Sequence, residues 1–252
     1  MIGFLRIAKE WSILATRPTI RKRDDDATTF PTHPRGDDLK MPILPLGGGL
    51  YAITDGPRTD LLDVVAQALA GGARLLQYRD LSDDAARRHA EATALVQLCR
   101  AHHVSLIIDH DIALAQAVGA DGVHLGKDDD DPAAVRAVLG EQAIVGVSCY
   151  GSLPRAQAAA RAGASYVSFG AFYPSPTKPL APCVPLELLR QSAALGVPRV
   201  AIGGITPDNG ALLVEAGADY LAAITAVFAA RDVRAAAQRF ADLYSSDRES
   251  AR

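Results

Sequence analysis

From Gly49 onward the chain alternates, eight times over, between a short apolar run and a longer segment with helical spacing. No other feature constrains the fold as strongly. The runs at residues 50–54, 75–78, 105–108, 122–125, 144–148, 166–170, 199–202 and 220–224 read as buried parallel strands. The segments between them, such as residues 83–101 and 153–162, are rich in Ala, Leu, Arg and Glu and read as helices. Eight strand–helix units predict a parallel sheet that closes most economically into a (β/α)8 TIM barrel, and a chain of 252 residues fits one such domain. An open doubly wound sheet is the alternative, but the G-x-G-x-x-G that usually follows its first strand is missing.

An internal repeat supports closure. Gly72-Ala73, Gly119-Ala120, Gly163-Ala164 and Gly217-Ala218 each stand between a helix and an even-numbered strand. Glycine there supplies a left-handed helix cap, and alanine allows a tight turn into the sheet.

Residues 1 to about 45 follow different rules. Arg21-Lys22-Arg23 runs directly into Asp24-Asp25-Asp26, followed by Pro31, Pro34, Pro42 and Pro45 with little apolar periodicity. Such a segment cannot bury enough apolar surface to offset its ordering entropy, so a disordered extension is expected. A misassigned start is the other reading, because Met41 is the only methionine besides Met1. The barrel is expected over 46–246, with 247–252 as a tail.

A net charge of −3 and a pI near 6.1 give no global attraction to nucleic acid or to an anionic membrane. No apolar run approaches the ~20 residues that span a bilayer. Cys99, Cys149 and Cys183 are odd in number and lack C-x-x-C spacing, which points to a reducing cytoplasm and not to a disulfide or zinc framework. Small phosphorylated molecules are the expected partners, and a homo-oligomer is compatible with the sequence.

In such a barrel the chemistry sits at the C-terminal strand ends. After strand 2, alternation turns Gln77 and Arg79 of Gln77-Tyr78-Arg79-Asp80 to the same side, where an inward arginine calls for an anion, or else for an internal Arg–Asp pair. After strands 3 and 4 come Asp109-His110-Asp111 and Lys127 followed by Asp128 to Asp131, two acidic clusters that can hold a hard cation such as Mg²⁺. His124, inside strand 4, reads as a structural hydrogen-bonding residue. Ser148 follows strand 5, and the loop Ser175-Pro176-Thr177-Lys178 after strand 6 suits a grip on phosphate or pyrophosphate. The double glycine Gly203-Gly204 after strand 7, with Ile224-Thr225 after strand 8, matches the usual barrel phosphate site.

In their order along the chain, Leu50-Tyr51-Ala52-Ile53-Thr54-Asp55, Gln77-Tyr78-Arg79, Ala120-Asp121-Gly122-Val123-His124-Leu125-Gly126, Gly146-Val147-Ser148, Ser175-Pro176-Thr177-Lys178 and Ala201-Ile202-Gly203-Gly204-Ile205 resemble the thiamine-phosphate synthase family. The resemblance implies a transferase of thiamine biosynthesis that joins 4-amino-2-methyl-5-hydroxymethylpyrimidine diphosphate to a thiazole monophosphate, releasing pyrophosphate by a Mg²⁺-dependent dissociative displacement. It implies that Gln77, Tyr78, Arg79, Asp80, Leu81, Asp109, Ser148 and Lys178 meet the pyrimidine diphosphate, with Arg79, Lys178 and Ser148 as catalytic groups. Ser175, Pro176, Thr177, Gly204, Ile224 and Thr225 would meet the thiazole phosphate, and Asp129, with His110, the magnesium.

Three departures from the family pattern accompany the resemblance. Leu81 stands where a lysine is usual, and Asp109-His110 where Asn-Asp is usual. Ser175 and Thr225 exchange one hydroxyl residue for another. The first two raise an alternative, a degenerate barrel that binds thiazole or thiamine phosphate without coupling, since nitrogen is a poor ligand for a hard ion. Against a thiazole tautomerase, Cys149 and Tyr150 follow Ser148 where such sequences carry a histidine.

Overall fold

The computed structural model describes residues 44, 47–129, 131–174 and 182–245. The first half runs β1 (Gly49–Ile53), α1 (Leu61–Ala70), β2 (Ala73–Tyr78), α2 (Ala85–Ala101), β3 (Ser105–Asp109), α3 (Ile112–Val118), β4 (Gly122–Leu125) and α4 (Pro132–Leu139). The second half runs β5 (Ile144–Tyr150), α5 (Leu153–Arg161), β6 (Tyr166–Phe169), α6 (Glu187–Gln191), β7 (Arg199–Ile202), α7 (Ala211–Glu215), β8 (Tyr220–Ala223), α8 (Thr225–Phe228) and α9 (Val233–Asp242). All neighbouring strands pair in parallel, and β1 also pairs with β8, so the sheet closes in the order β1 to β8. The closed (β/α)8 barrel expected from the alternation is the fold observed.

Side chains alternate cleanly across the barrel wall. Leu50, Ala52, Leu76, Tyr78, Leu106, Val123, Val145 and Val167 face outward and pack on the helices. Tyr51, Ile53, Leu75, Ile107, Ile144, Tyr166, Val200 and Tyr220 face inward and fill the interior. Leu44 belongs to the inner cluster and is 5% exposed, although it lies within the stretch expected to be disordered. The remainder of that stretch and the 247–252 tail lie outside the described residues.

The repeated glycines act as expected: Gly72, Gly119, Gly163 and Gly217 all have positive φ, between 65° and 100°. Gly146 has a different task. A Cβ there would lie 2.0 Å from Tyr166 Cζ, so its missing side chain is the space into which the Tyr166 ring reaches across the barrel.

Several aspartates of the C-terminal rim are committed to helix starts. Asp84, Asp111, Asp131 and Asp232 accept the amides of Arg87, Leu114, Ala133 and Ala235, and Ser152 does the same for Arg155. Each cap is worth about 1 kcal/mol. For Asp111 and Asp131 this corrects the expectation that the acidic clusters stand ready for a cation.

Candidate active site at the barrel mouth

A cavity of about 290 Å³ opens at the C-terminal ends of the strands. Its polar floor is a continuous hydrogen-bonded chain. Gln77 Nε2 donates to Tyr51 Oη at 3.0 Å, Tyr51 Oη lies 2.7 Å from Tyr166 Oη, and Tyr166 Oη lies 2.9 Å from His124 Nδ1. His124 Nε2 in turn sits 2.9 Å from Ser148 Oγ, which is 3.5 Å from Ser168 Oγ. Burial pushes the Tyr51 and Tyr166 hydroxyls well above the usual phenol range, so both stay protonated. His124 is thus part of a structural network, as its position suggested. The opposite wall is apolar, made by Ile53, Val200, Ile202, Ala222 and Ile224. One polar side and one apolar side suit a flat heteroaromatic ring.

Charge gathers on the rim over β2, β3 and β4. Thr54 clamps the backbone of Arg79 twice, its Oγ1 accepting the Arg79 amide at 2.8 Å and donating to the Arg79 carbonyl at 3.0 Å. The Arg79 guanidinium lines the cavity while its Nε lies 3.5 Å from Asp109 Oδ2, so the inward arginine and the Arg–Asp pair are both present. His110 follows with φ 60°, a left-handed backbone that is uncommon for a side chain of this size. Its ring bridges the acidic groups, with Nε2 3.5 Å from Asp109 Oδ1 and Nδ1 hydrogen-bonded to Asp129 Oδ2. Gly126 makes room for that ring, since a Cβ would lie 2.6 Å from His110 Cε1, and the Gly126 amide donates to Asp129 Oδ2 at 2.6 Å. Burial raises the Asp129 pKa, but the Gly126 amide and His110 outweigh it and hold the carboxyl below the ordinary range.

The donor chemistry here can be tested against a hard cation. Among the described residues no group of three or more His, Cys, Asp and Glu could by itself enclose a metal ion. Magnesium does not need one, since it is bound by one or two carboxylates and takes its other ligands from phosphate and water. Asp109, which lines the cavity, and Asp129, joined to His110 at its edge, offer two such carboxylates. His110 fits less well as a nitrogen donor, and Asp111 is engaged at both oxygens by Leu114 N and Arg88 Nη2.

Other expected contacts separate into three groups. Tyr78 and Asp80 face away from the cavity, a correction that follows from strand alternation. Tyr78 Oη donates to Glu91 Oε2 at 2.6 Å, and Asp80 Oδ2 pairs with Arg87 Nη1 at 2.7 Å. Leu81 sits at the mouth, 70% exposed. Ser175, Pro176, Thr177 and Lys178 lie outside the described residues. The stem of their loop is tied to the loop after β7: Tyr173 N donates to Gly203 O at 3.0 Å, and Tyr173 Oη to Asn209 O at 3.0 Å.

That neighbouring loop is itself locked. Asn209 accepts the Thr206 amide at 2.8 Å and donates to Gly204 O at 3.1 Å. Gly204 has φ 63°, and a Cβ on it would lie 2.3 Å from Pro174 O, so no other residue fits. Thr225 opens α8 directly after Ile224, with the Val227 and Phe228 amides donating to Ile224 O at 3.1 and 2.9 Å. Ile224 lines the cavity, and Gly204 and Thr225 adjoin it in the segments after β7 and β8, across the barrel from the strand ends that carry Asp109 and His110.

Sequence reasoning missed Tyr51, Tyr166, Ser168 and Asn209. The first two were hidden in apolar runs. For Asn209 the signal was available, since Thr206-Pro207-Asp208-Asn209 is turn chemistry.

A family model described as thiamine monophosphate synthase matches residues 50–227. The thiamine-phosphate synthase of Chromobacterium violaceum is 52% identical over 200 residues, covering 79% of this chain and 97% of the relative. That of Thiobacillus denitrificans is 52% identical over 205 residues, covering 80% and 97%. Among solved structures, thiamine phosphate pyrophosphorylase from Pyrococcus furiosus matches with a TM-score of 0.72 at 32% identity, over 79% of this chain and 96% of that one. A 3-hexulose-6-phosphate synthase, with a TM-score of 0.59 at 23% identity over 77% and 99%, shares the fold.

Proposed function

The chain belongs to the thiamine-phosphate synthase family, and from that premise we propose that its barrel mouth joins 4-amino-2-methyl-5-hydroxymethylpyrimidine diphosphate to 4-methyl-5-(2-phosphoethyl)-thiazole. The products are thiamine monophosphate and pyrophosphate. The observation that carries the reading is the pairing, in one cavity, of a polar-floored ring pocket with a rim of Arg79, Asp109 and His110, the last joined to Asp129 just beyond the rim.

In this reading the pyrimidine ring lies over the Gln77–Tyr51–Tyr166–His124–Ser148 chain, with Ile202 and Ile224 against its other face. The diphosphate reaches Arg79 at the rim, with Lys178 from the loop after β6 as its second cation. The bond between the exocyclic methylene carbon and the diphosphate oxygen breaks, and the electron pair leaves with pyrophosphate. The thiazole nitrogen lone pair then closes on that carbon. No proton need be removed, so the protein's task is to hold the leaving group and exclude water. Asp129 and Asp109 would hold Mg²⁺, which supplies charge compensation to the diphosphate. The thiazole phosphate is held by Ser175, Thr177, Gly204 and the backbone of Ile224 and Thr225. A cytoplasmic setting, with small phosphorylated substrates, belongs to the same proposal.

The contact between His110 and Asp129 favours coupling over a degenerate binder, because a binder would have no use for an ordered acidic row at the leaving-group side. The test is direct. Full-length protein is mixed with both substrates and Mg²⁺, and thiamine monophosphate and pyrophosphate are quantified. Equimolar release of both, abolished by chelation, is expected. No product, together with measurable thiazole-phosphate binding, would overturn the reading.

A further inference from the structure

Arg155 stands in the first turn of α5, just outside the barrel wall, and none of the ion pairs among the described residues includes it. Its guanidinium engages two backbone carbonyls instead. Nε donates to Ser148 O at 2.7 Å and Nη2 donates to Gly126 O at 2.6 Å. The Tyr150 ring lies beside it, 6.0 Å from its Cζ.

Those two carbonyls stand where the sheet can no longer hold its own ends. Leu125 and Val147 form the last paired rung between β4 and β5, so Gly126 and Ser148 lie one residue beyond it. On the other side of β5 the pairing with β6 shifts register between Ser148 and Tyr150, and Tyr150 has φ 53°. A bulge of this kind leaves ladder groups without partners. Gly126 is there because the His110 ring leaves no space for a Cβ, yet glycine is also the residue that most readily swings. The strand ends therefore need a brace from outside the sheet.

The opposite faces of the same two residues serve the site. The Gly126 amide holds Asp129 Oδ2, and the Ser148 hydroxyl meets His124 at the cavity floor. We propose that Arg155 is a positioning residue. By pinning the Gly126 and Ser148 carbonyls it fixes Asp129 and the Ser148 hydroxyl for the metal-bound diphosphate substrate, an inference that rests on the functional reading above. Arginine suits the role because its planar fork reaches two acceptors in different directions, which a lysine point charge cannot do at once.

The test uses full-length protein with Arg155→Ala and Arg155→Lys. Binding of Mg²⁺ with inorganic pyrophosphate is measured by calorimetry, and KM is measured for each substrate separately. For Arg155→Ala, magnesium-pyrophosphate affinity falls and the pyrimidine-diphosphate KM rises, each roughly tenfold or more, as expected for loss of a charge-assisted hydrogen bond. The thiazole-phosphate KM stays within about twofold, since Gly204 and Thr225 are on the far side of the mouth. Millimolar guanidinium restores Arg155→Ala, and Arg155→Lys falls between the two. A purely structural role would raise both KM values together, and that result overturns the proposal. Wild-type binding left unchanged by Arg155→Ala also overturns it alone, whereas wild-type protein that binds no magnesium pyrophosphate removes the functional reading with it. Should Arg155→Ala fail to fold, Arg155→Lys carries the same comparison.

Discussion

The two tyrosines that meet inside the barrel allow a sharp stability experiment. Tyr51 and Tyr166 are at most 1% exposed, their rings pack edge to face at 5.8 Å, and their hydroxyls are 2.7 Å apart. Replacing either by phenylalanine keeps the ring packing and removes one oxygen. Tyr51→Phe strips a partner from Gln77 Nε2 and from Tyr166 Oη, whereas Tyr166→Phe strips one from Tyr51 Oη and from His124 Nδ1. Each single variant removes two bonds of the chain, because the surviving hydroxyl keeps its other partner, and at about 0.5–1.5 kcal/mol per bond should lose about 1–3 kcal/mol. The double variant removes three bonds and not four, since the Tyr51–Tyr166 bond is lost in either single variant. Its loss should therefore fall short of the sum of the two by that one shared bond, about 1 kcal/mol. Urea unfolding of all four proteins, analysed with a common m-value, measures the cycle. Losses that add to within about 0.3 kcal/mol would refute the argument that the hydroxyls form one chain.

Three further outcomes are expected. Leu44→Ala opens a void at the inner cluster and should cost about 2–5 kcal/mol in urea unfolding; a cost below about 1 kcal/mol would mean that Leu44 does not close the barrel interior. Gly204→Ala forces a Cβ to 2.3 Å from Pro174 O at a positive φ, so the thiazole-phosphate KM should rise at least about tenfold while the pyrimidine-diphosphate KM holds; equal rises would count against a phosphate site there. Burial raises the Asp80 pKa, but Arg87 and Ser82 outweigh it and bring it to about 2, below the unfolded value of about 3.9. Its contribution, on the order of 2 kcal/mol, is therefore complete above pH ~4 and fades as pH falls towards about 2, so the stability gap between wild type and Asp80→Asn should close over that window. A gap that does not change with pH would show that the pair with Arg87 is not the cause.

What could be read from the chain, and what could not, divides along a physical line. Strand positions and the inward pair Gln77 and Arg79 follow from a two-residue period, and Ser148 from its place at the end of strand 5; this is local information, and the structure places all three at the cavity. The same period carries Tyr78 and Asp80 outward, so grouping them with their neighbours as diphosphate contacts went against the alternation already in hand. Asp131 was legible too, since an aspartate directly before Pro132 at a helix start is the signature of a cap before it is that of a ligand. The cavity floor was not legible in this way. Tyr51 and Tyr166 are separated by 115 residues, and either could be an ordinary core aromatic until the barrel closes and brings their hydroxyls together. Only Gly146, a glycine in mid-strand, hinted that something large must pass. Arg155 is further out of reach still, because its partners are backbone carbonyls, and any residue can supply one. A side chain's fit to another side chain leaves a trace in residue types at both ends. A side chain's fit to the backbone leaves a trace at one end only, and that is why the brace behind the site has to be found in three dimensions.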